Sequence, residues 1–222
     1  MGKPGPKPRH KVIIKWSQDF AYAIGLLATD GNLSPDGRHL NLTSKDLEQV
    51  QNFQKALGIA YNIGRKGNGM SKEKKYYVVQ FGDLFFYAFL EKIGLHKRKS
   101  KTLGPLNIPD KYFFSFLRGV FDGDGSTYSY WDKRWKSSFM FYLGFASASK
   151  AFIDWLRVKI EKKTGSVGHI TKDGRGSTFQ LKYAKAESLR VLKKMYPKPN
   201  VMCLSRKRLK IEKMLVIVGK SL

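Results

Sequence analysis

Two stretches decide how this sequence folds: Ala23-Ile24-Gly25-Leu26-Leu27-Ala28-Thr29-Asp30-Gly31 and Leu117-Arg118-Gly119-Val120-Phe121-Asp122-Gly123-Asp124-Gly125. Each is an apolar run with a glycine inside it and an Asp-Gly at its end, so residues 20–31 and 113–125 are expected to be helices. Glycine in a helix interior costs roughly 0.5–1 kcal/mol relative to alanine, so its presence needs a packing reason. Gly25 and Thr29, and likewise Gly119 and Gly123, are small residues four apart on one helix face. Such pairs let two helix backbones approach closely. Crossing of the two helices would bring their C-terminal ends together, and with them Asp30 and Asp124, which stand 94 positions apart.

Working outward, the sequence after each stretch repeats. The first helix is followed by a Pro-Asp-Gly turn and the alternating segment 39–43. The second is followed by aromatic segments 127–131 and 138–145 around a turn at 132–136, which read as strands. A second helix comes next in both copies: Val50, Phe53 and Leu57 recur at i, i+3 and i+7, as do Ile153, Leu156 and Ile160. Gly58 and Gly165 mark the ends of these helices. Another hairpin follows, with 61–64 against 76–81 and 167–172 against 178–183. Third helices carry Phe86, Phe89 and Ile93, and Leu189, Leu192 and Tyr196. Arg98-Lys99 and Arg206-Lys207 follow them. The expected class is α+β: two pseudo-symmetric αββαββα halves, with antiparallel sheets and the two Asp-Gly helices packed at the interface. Residues 16–94 and 111–222 form the halves and 95–110 the linker. Residues 1–15, with Lys-Pro-Gly-Pro-Lys-Pro-Arg, are a basic arm expected not to pack, either solvated or lying in a nucleic-acid groove. Residues 203–218 are expected to add a closing helix.

Hairpins covered by helices on one face leave the other face open. The residues expected on it are Asn41, Thr43, Lys72, Lys74, Lys75, Gln80, Lys133, Arg134, Lys136, Lys172, Arg175, Gln180 and Lys182. A two-stranded ribbon fits the major groove of DNA, where Lys and Arg read guanine and Asn and Gln read adenine. The plainer alternative is a solvated sheet face rich in Lys and Thr.

Charge favours the nucleic-acid reading. Lys and Arg number 42 against 17 Asp and Glu, a net +25 spread along the chain. Such an excess points to a polyanion, and its spread disfavours a membrane surface, which would concentrate it on one helix or segment. With 42% hydrophobic residues the chain is long and apolar enough to bury a core. One cysteine and four scattered histidines exclude disulfides and Cys/His zinc fingers. Neither a signal-peptide pattern nor a membrane-spanning apolar run is visible, so a soluble intracellular protein of cytoplasm or organelle matrix is expected.

The two quoted stretches resemble the LAGLIDADG signature of homing endonucleases and related maturases. Two copies inside a matching repeat resemble the single-chain, monomeric type of that family. The resemblance implies a saddle of two sheets astride DNA, a long asymmetric target, and metal-dependent hydrolysis in which each aspartate serves one strand. It makes Asp30 and Asp124 the catalytic and metal-binding pair, with Mg²⁺ or Mn²⁺ as cofactor and carbonyls of Ala28, Thr29, Gly123 or Asp122 as auxiliary ligands. Independently, two carboxylates at helix C-termini meet the negative ends of two helix dipoles. A divalent cation with oxygen ligands relieves that conflict. The resemblance also places Lys99 and Lys207 near the reacting phosphate, though phosphate contact alone would equally explain them. Asp122 falls where the first copy has Ala28, so a structural place, solvent-facing or capping, fits it better. Asp46 and Ser149 occupy matching helix starts, where capping is expected.

The activity implied is therefore site-specific double-strand cleavage of DNA by a free-standing or intron-encoded enzyme. Two alternatives stay open: an RNA-binding intron maturase on the same scaffold, and a noncatalytic DNA-binding regulator. The first would take intron RNA as partner. The second would be marked by an added helix-turn-helix, for which the sequence shows no convincing room.

Overall fold

The computed structural model describes residues 10–67, 73, 75–174 and 176–222. Helix α1 (Gln18–Thr29) begins where the Ser17 hydroxyl accepts the Phe20 N–H at 3.0 Å, and α4 (Phe113–Asp124) is its counterpart. Nearly all side chains from Phe20 to Ala28 and from Phe113 to Asp122 are buried. Neither helix therefore has a solvent face: they pack on each other and form the wall between the halves.

Each helix runs directly into a four-stranded antiparallel sheet. After α1 come β1 (Gly31–Leu33), β2 (His39–Ser44), α2 (Leu47–Leu57), β3 (Gly64–Lys66), β4 (Tyr76–Gly82) and α3 (Leu84–Lys92), with strand order β1-β2-β4-β3. After α4 come β5 (Gly125–Trp131), β6 (Phe139–Ser147), α5 (Lys150–Thr164), β7 (His169–Lys172), β8 (Phe179–Tyr183) and α6 (Lys185–Met195), with order β5-β6-β8-β7. Helix α7 (Ser205–Ile217) closes the second half. The α+β architecture with two such sheets is as expected, and so is the closing helix.

Alternation along the strands fixes which face is covered. Leu40 and Leu42 of β2, with Val79 and Phe81 of β4, are buried under Val50, Phe53 and Leu57 of α2. Phe141, Leu143 and Phe145 of β6, with Leu181 and Tyr183 of β8, are buried under Ile153, Leu156 and Ile160 of α5. Intervening residues such as Asn41, Thr43, Tyr142 and Gln180 are left on the open faces. Both α2 and α5 end on left-handed glycines, Gly58 and Gly165, each at φ 65°.

Three departures have local causes. Strand β3 begins at Gly64 instead of Tyr61, because the Gln54 side chain accepts the Tyr61 N–H at 2.5 Å and the Tyr61 ring stacks on Phe81. Those backbone groups are thus occupied before pairing with β4 can start. The basic arm packs at its end: the Asp83 carboxylate, which starts α3, accepts the Lys11 and Val12 N–H groups, and Val12 is buried. Residues 1–9 of the arm lie outside the described residues. The connection between halves is packed too, burying Leu95, Leu103, Leu106 and Ile108. Among the described residues, no helix is long and apolar enough to cross a membrane.

Candidate active site

The site begins with two helices that could not cross if their glycines carried side chains. A Cβ on Gly25 would lie 2.2 Å from the Phe116 carbonyl oxygen, and one on Gly119 would lie 2.1 Å from that of Tyr22. At the end of the crossing, a Cβ on Gly123 would lie 2.0 Å from Thr29 Oγ1 and 3.2 Å from Asp30 Oδ2. Asp30 therefore abuts the residue just before Asp124.

Electrostatics follow from this proximity. Burial, and then the charge of Asp124, push the Asp30 carboxyl up to about 6. Burial also raises Asp124 above the usual carboxylate range. Both are half-buried acids at helix ends, where the backbone dipole repels them further. Lys99 and Lys207 reach the same place from beyond the third helices of their halves. Burial draws each ammonium down to about 8, while both aspartates act to hold its charge.

The lysines bond to backbone, not directly to the acids. Lys99 Nζ donates to the Gly31 carbonyl at 2.5 Å and to that of Thr29 at 3.5 Å. Lys207 Nζ donates to the carbonyls of Phe121 at 2.7 Å, Gly123 at 3.0 Å and Gly125 at 2.7 Å. Each lysine thus caps the helix end that presents its half's aspartate, and its charge offsets the negative pole there.

Sequence reasoning missed Gln49. Its Nε2 donates to Asp30 Oδ2 at 2.5 Å, and its Oε1 accepts from the Ser44 hydroxyl at 3.1 Å. Aligned on their helix starts Asp46 and Ser149, the two halves place Phe152 opposite Gln49. The two carboxylates are consequently not equivalent: no side-chain hydrogen bond of this kind reaches Asp124 among the described residues.

Asp122 is neither solvent-facing nor a helix cap. Its buried Oδ2 accepts from the Tyr22 hydroxyl at 2.8 Å and from Leu204 N–H at 2.7 Å, tying α4 to α1 and to the start of α7. Ser149 caps α5 through Phe152 N–H. Asp46 starts α2 without a capping bond and instead grips Arg206 with both oxygens, at 2.9 and 2.7 Å.

Of the residues expected on the open faces, Asn41 and Gln80 are register partners on the first sheet, and Thr43 lies on the same face. Lys75 pairs with Glu73 at the edge. Gln180 and Lys182 lie on the open face of the second sheet, opposite Ala146 and Gly144. Lys133, Arg134 and Lys136 occupy the exposed turn between β5 and β6. Lys172 shares the register of Phe179, with its ammonium 5.8 Å over that ring, and so belongs to the other face. Lys72, Lys74 and Arg175 lie outside the described residues.

The donor set suits a hard cation. Among the described residues no cluster of three His, Cys, Asp or Glu side chains forms a complete metal cage. Two carboxylates beside backbone carbonyls match the habit of Mg²⁺, which keeps waters and takes substrate phosphate oxygens as further ligands.

A family model for a LAGLIDADG-like domain matches residues 17–94. No curated protein matches the chain. Among solved structures, the meganuclease I-SmaMI bound to uncleaveable DNA superposes with a TM-score of 0.63 at 14% identity, over 92% of this chain and 93% of that one. Mesophilic variants of the homing endonuclease I-DmoI give 0.53 at 17%, over 82% and 96%. Full-length DUF199/WhiA from Thermatoga maritima gives 0.59 at 15%, over 93% of this chain and 62% of that one, so this chain spans less than two thirds of that protein. At these identities the likeness is one of fold.

Proposed function

The chain is a two-motif LAGLIDADG protein in fold, and on that premise we propose that it is a site-specific homing endonuclease that cuts both strands of a long, asymmetric DNA duplex by divalent-metal-dependent hydrolysis. The observation that carries this reading is the meeting of Asp30 and Asp124 at adjoining helix ends, each with a buried lysine beside it. A fold that needed only to bind would gain nothing from two partly buried carboxylates pushed out of their ordinary range. Similar folds carry titles that name DNA targets, calcium ions and Mg.

In this reading Asp30 and Asp124 hold Mg²⁺ or Mn²⁺, with help from carbonyls at the ends of α1 and α4. The bound cation polarises the scissile phosphate and lowers the pKa of an attacking water. Gln49 orients the Asp30 carboxylate by fixing Oδ2, which leaves Oδ1 to face the cation. Lys99 and Lys207 keep positive charge beside the phosphate as negative charge builds on it. The open faces of the two sheets take the major groove on either side, and the unlike halves suit an asymmetric site read by one chain.

A second reading has its own observation. Because Lys99 and Lys207 are bonded to helix-end carbonyls, they also serve as caps, a role that a noncatalytic DNA-binding protein would retain. No observation favours structured RNA over duplex DNA. The deciding experiment incubates the protein with Mg²⁺ and a randomised duplex library and sequences the ends released. Breaks at one long motif, lost in Asp30→Asn and Asp124→Asn while binding persists, are expected. Selective binding without any break would establish the noncatalytic reading.

A further inference from the structure

The two open sheet faces are built differently. On the first, Asn32, Asn41 and Gln80 are register partners and present amides in a row. On the second, the same register is Ser126, Gly144 and Lys182. Matching β2 to β6 through Ser44 and Ser147, which stand alike before α2 and α5, puts Gly144 where the first sheet has Asn41 and Ala146 where it has Thr43. Two larger polar residues are thus replaced by the smallest ones.

That replacement leaves a hollow of about 110 Å³, lined by Ser126, Tyr128, Gly144, Ala146, Gln180 and Lys182. Tyr128 is its wall, and the wall is braced. The Tyr128 ring stacks on Tyr142 with centroids 4.7 Å apart and planes 8° apart, and Tyr130 stacks on the far side of Tyr142 at 6.3 Å. Tyr128 and Tyr130 remain 41% and 46% exposed, so this row is presented outward and not folded into the core.

Resting on the DNA-cleavage reading, we infer that this hollow is a specificity pocket for the C5-methyl of thymine, and that Gln180 takes the adenine of the same A·T pair. The methyl is the one apolar group that a base pair shows in the major groove, and the adenine beside it offers N6 and N7 to a glutamine amide. The geometry supplies both halves of that pattern: an apolar recess over Gly144 and Ala146, and a glutamine whose Cα partner is Ala146 itself. Lys182, opposite Gly144, stands at the rim, where it meets a neighbouring guanine or phosphate. The first sheet, with Asn41 and Thr43 in place of the recess, reads its half of the target by hydrogen bonds alone.

The test uses the target recovered from the randomised library, bound by the full-length protein in Ca²⁺ buffer. Deoxyuridine replaces thymidine one position at a time, which removes only the methyl and keeps base pairing. Within the half-site on the second sheet, one position is expected to weaken binding about fourfold, the worth of one buried methyl. Gly144→Val fills the recess, and it should fold, since a Cβ at Gly144 meets nothing nearer than 3.5 Å. In that variant uridine and thymidine should bind alike at this position, while thymidines elsewhere keep their behaviour. Gln180→Ala should relax the preference for adenine at the same pair. A uridine scan flat across the half-site, or a methyl effect that survives Gly144→Val, would overturn the pocket while leaving the endonuclease reading intact. Failure to recover any selective target would overturn both.

Discussion

Gly25 and Gly119 meet face to face where the two motif helices cross. A methyl on Gly25 would stand 2.9 Å from the Cα of Gly119, and one on Gly119 would stand 3.0 Å from the Cα of Gly25. The contact is backbone on backbone, so no side chain can swing away to relieve it. It sets the separation of α1 and α4, and through them the approach of Asp30 to Asp124.

Gly25→Ala should therefore cost about 3 kcal/mol or more of stability, at the upper end of what overpacking a core usually costs. Gly104→Ala is the control, because a Cβ there meets nothing within 4 Å. It should be neutral or stabilise by about 0.4–1 kcal/mol, through the unfolded chain. Thermal unfolding of the two variants checks both signs. A Gly25→Ala protein that melts with the wild type would mean that the helices do not cross this closely.

Lys207 and its neighbour Arg206 should behave oppositely despite their adjacency. Lys207→Met strands three carbonyls at the end of α4 and should cost about 1.5–3 kcal/mol, the range for hydrogen bonds to a charged group. Arg206→Ala breaks a bidentate pair with Asp46 whose guanidinium is largely in solvent, so less than about 1 kcal/mol should be lost. Denaturant titration of both variants is the measurement. Equal losses would deny Lys207 its capping role.

The architecture was legible because apolar periodicity and turn residues carry it. The two runs ending in Asp-Gly, the i, i+3, i+7 faces of α2 and α5, and the glycines that stop them are all local signals. Gln49 was not legible, since a glutamine on an amphipathic helix reads as surface. Only the packing of α2 on α1 turns it toward Asp30. One hint was present: its counterpart in the second half is Phe152, and a polar residue where its twin is aromatic points inward. Asp122 misled for the converse reason. A carboxylate is expected in water, yet Tyr22 and the Leu204 amide, 100 and 82 positions away, satisfy it inside. The lysine caps were hidden likewise, because Lys99 and Lys207 meet carbonyls 68 to 86 positions distant.

Replacing Asp30 by asparagine should stabilise the metal-free protein at neutral pH. Its folded-state pKa is about 6 against an ordinary 3.8, so folding favours the protonated acid. That contribution is fully present below about pH 3.8 and is lost as pH rises through 6. Wild type and Asp30→Asn should then melt together near pH 4 and diverge by pH 7.5, with the variant ahead by up to about 3 kcal/mol. Millimolar Mg²⁺ or Ca²⁺ should raise the wild-type melting temperature at pH 7.5 and close part of the gap, because the cation pairs the charge that burial opposes. A difference independent of pH, or unmoved by either ion, would remove the carboxylate from any metal site.

The turn between β5 and β6 carries Lys133, Arg134 and Lys136, all exposed, beside Trp135, which is 70% exposed. Arg134 is held by Asp132, whose charge offsets its own. Lys133 and Lys136 have no such partner among the described residues, which leaves both free to neutralise phosphates. Each phosphate neutralised contributes about 0.9 to the fall of log affinity with log salt on duplex DNA. The double substitution Lys133→Ala with Lys136→Ala should therefore reduce that slope by about 1.8. It should weaken specific and nonspecific duplexes by similar factors, since a phosphate contact carries no sequence. Fluorescence anisotropy across a salt series measures the slope directly. An unchanged slope would take the hairpin tip off the DNA and confine the interface to the sheet faces, whereas a loss of selectivity at constant slope would make these lysines base readers.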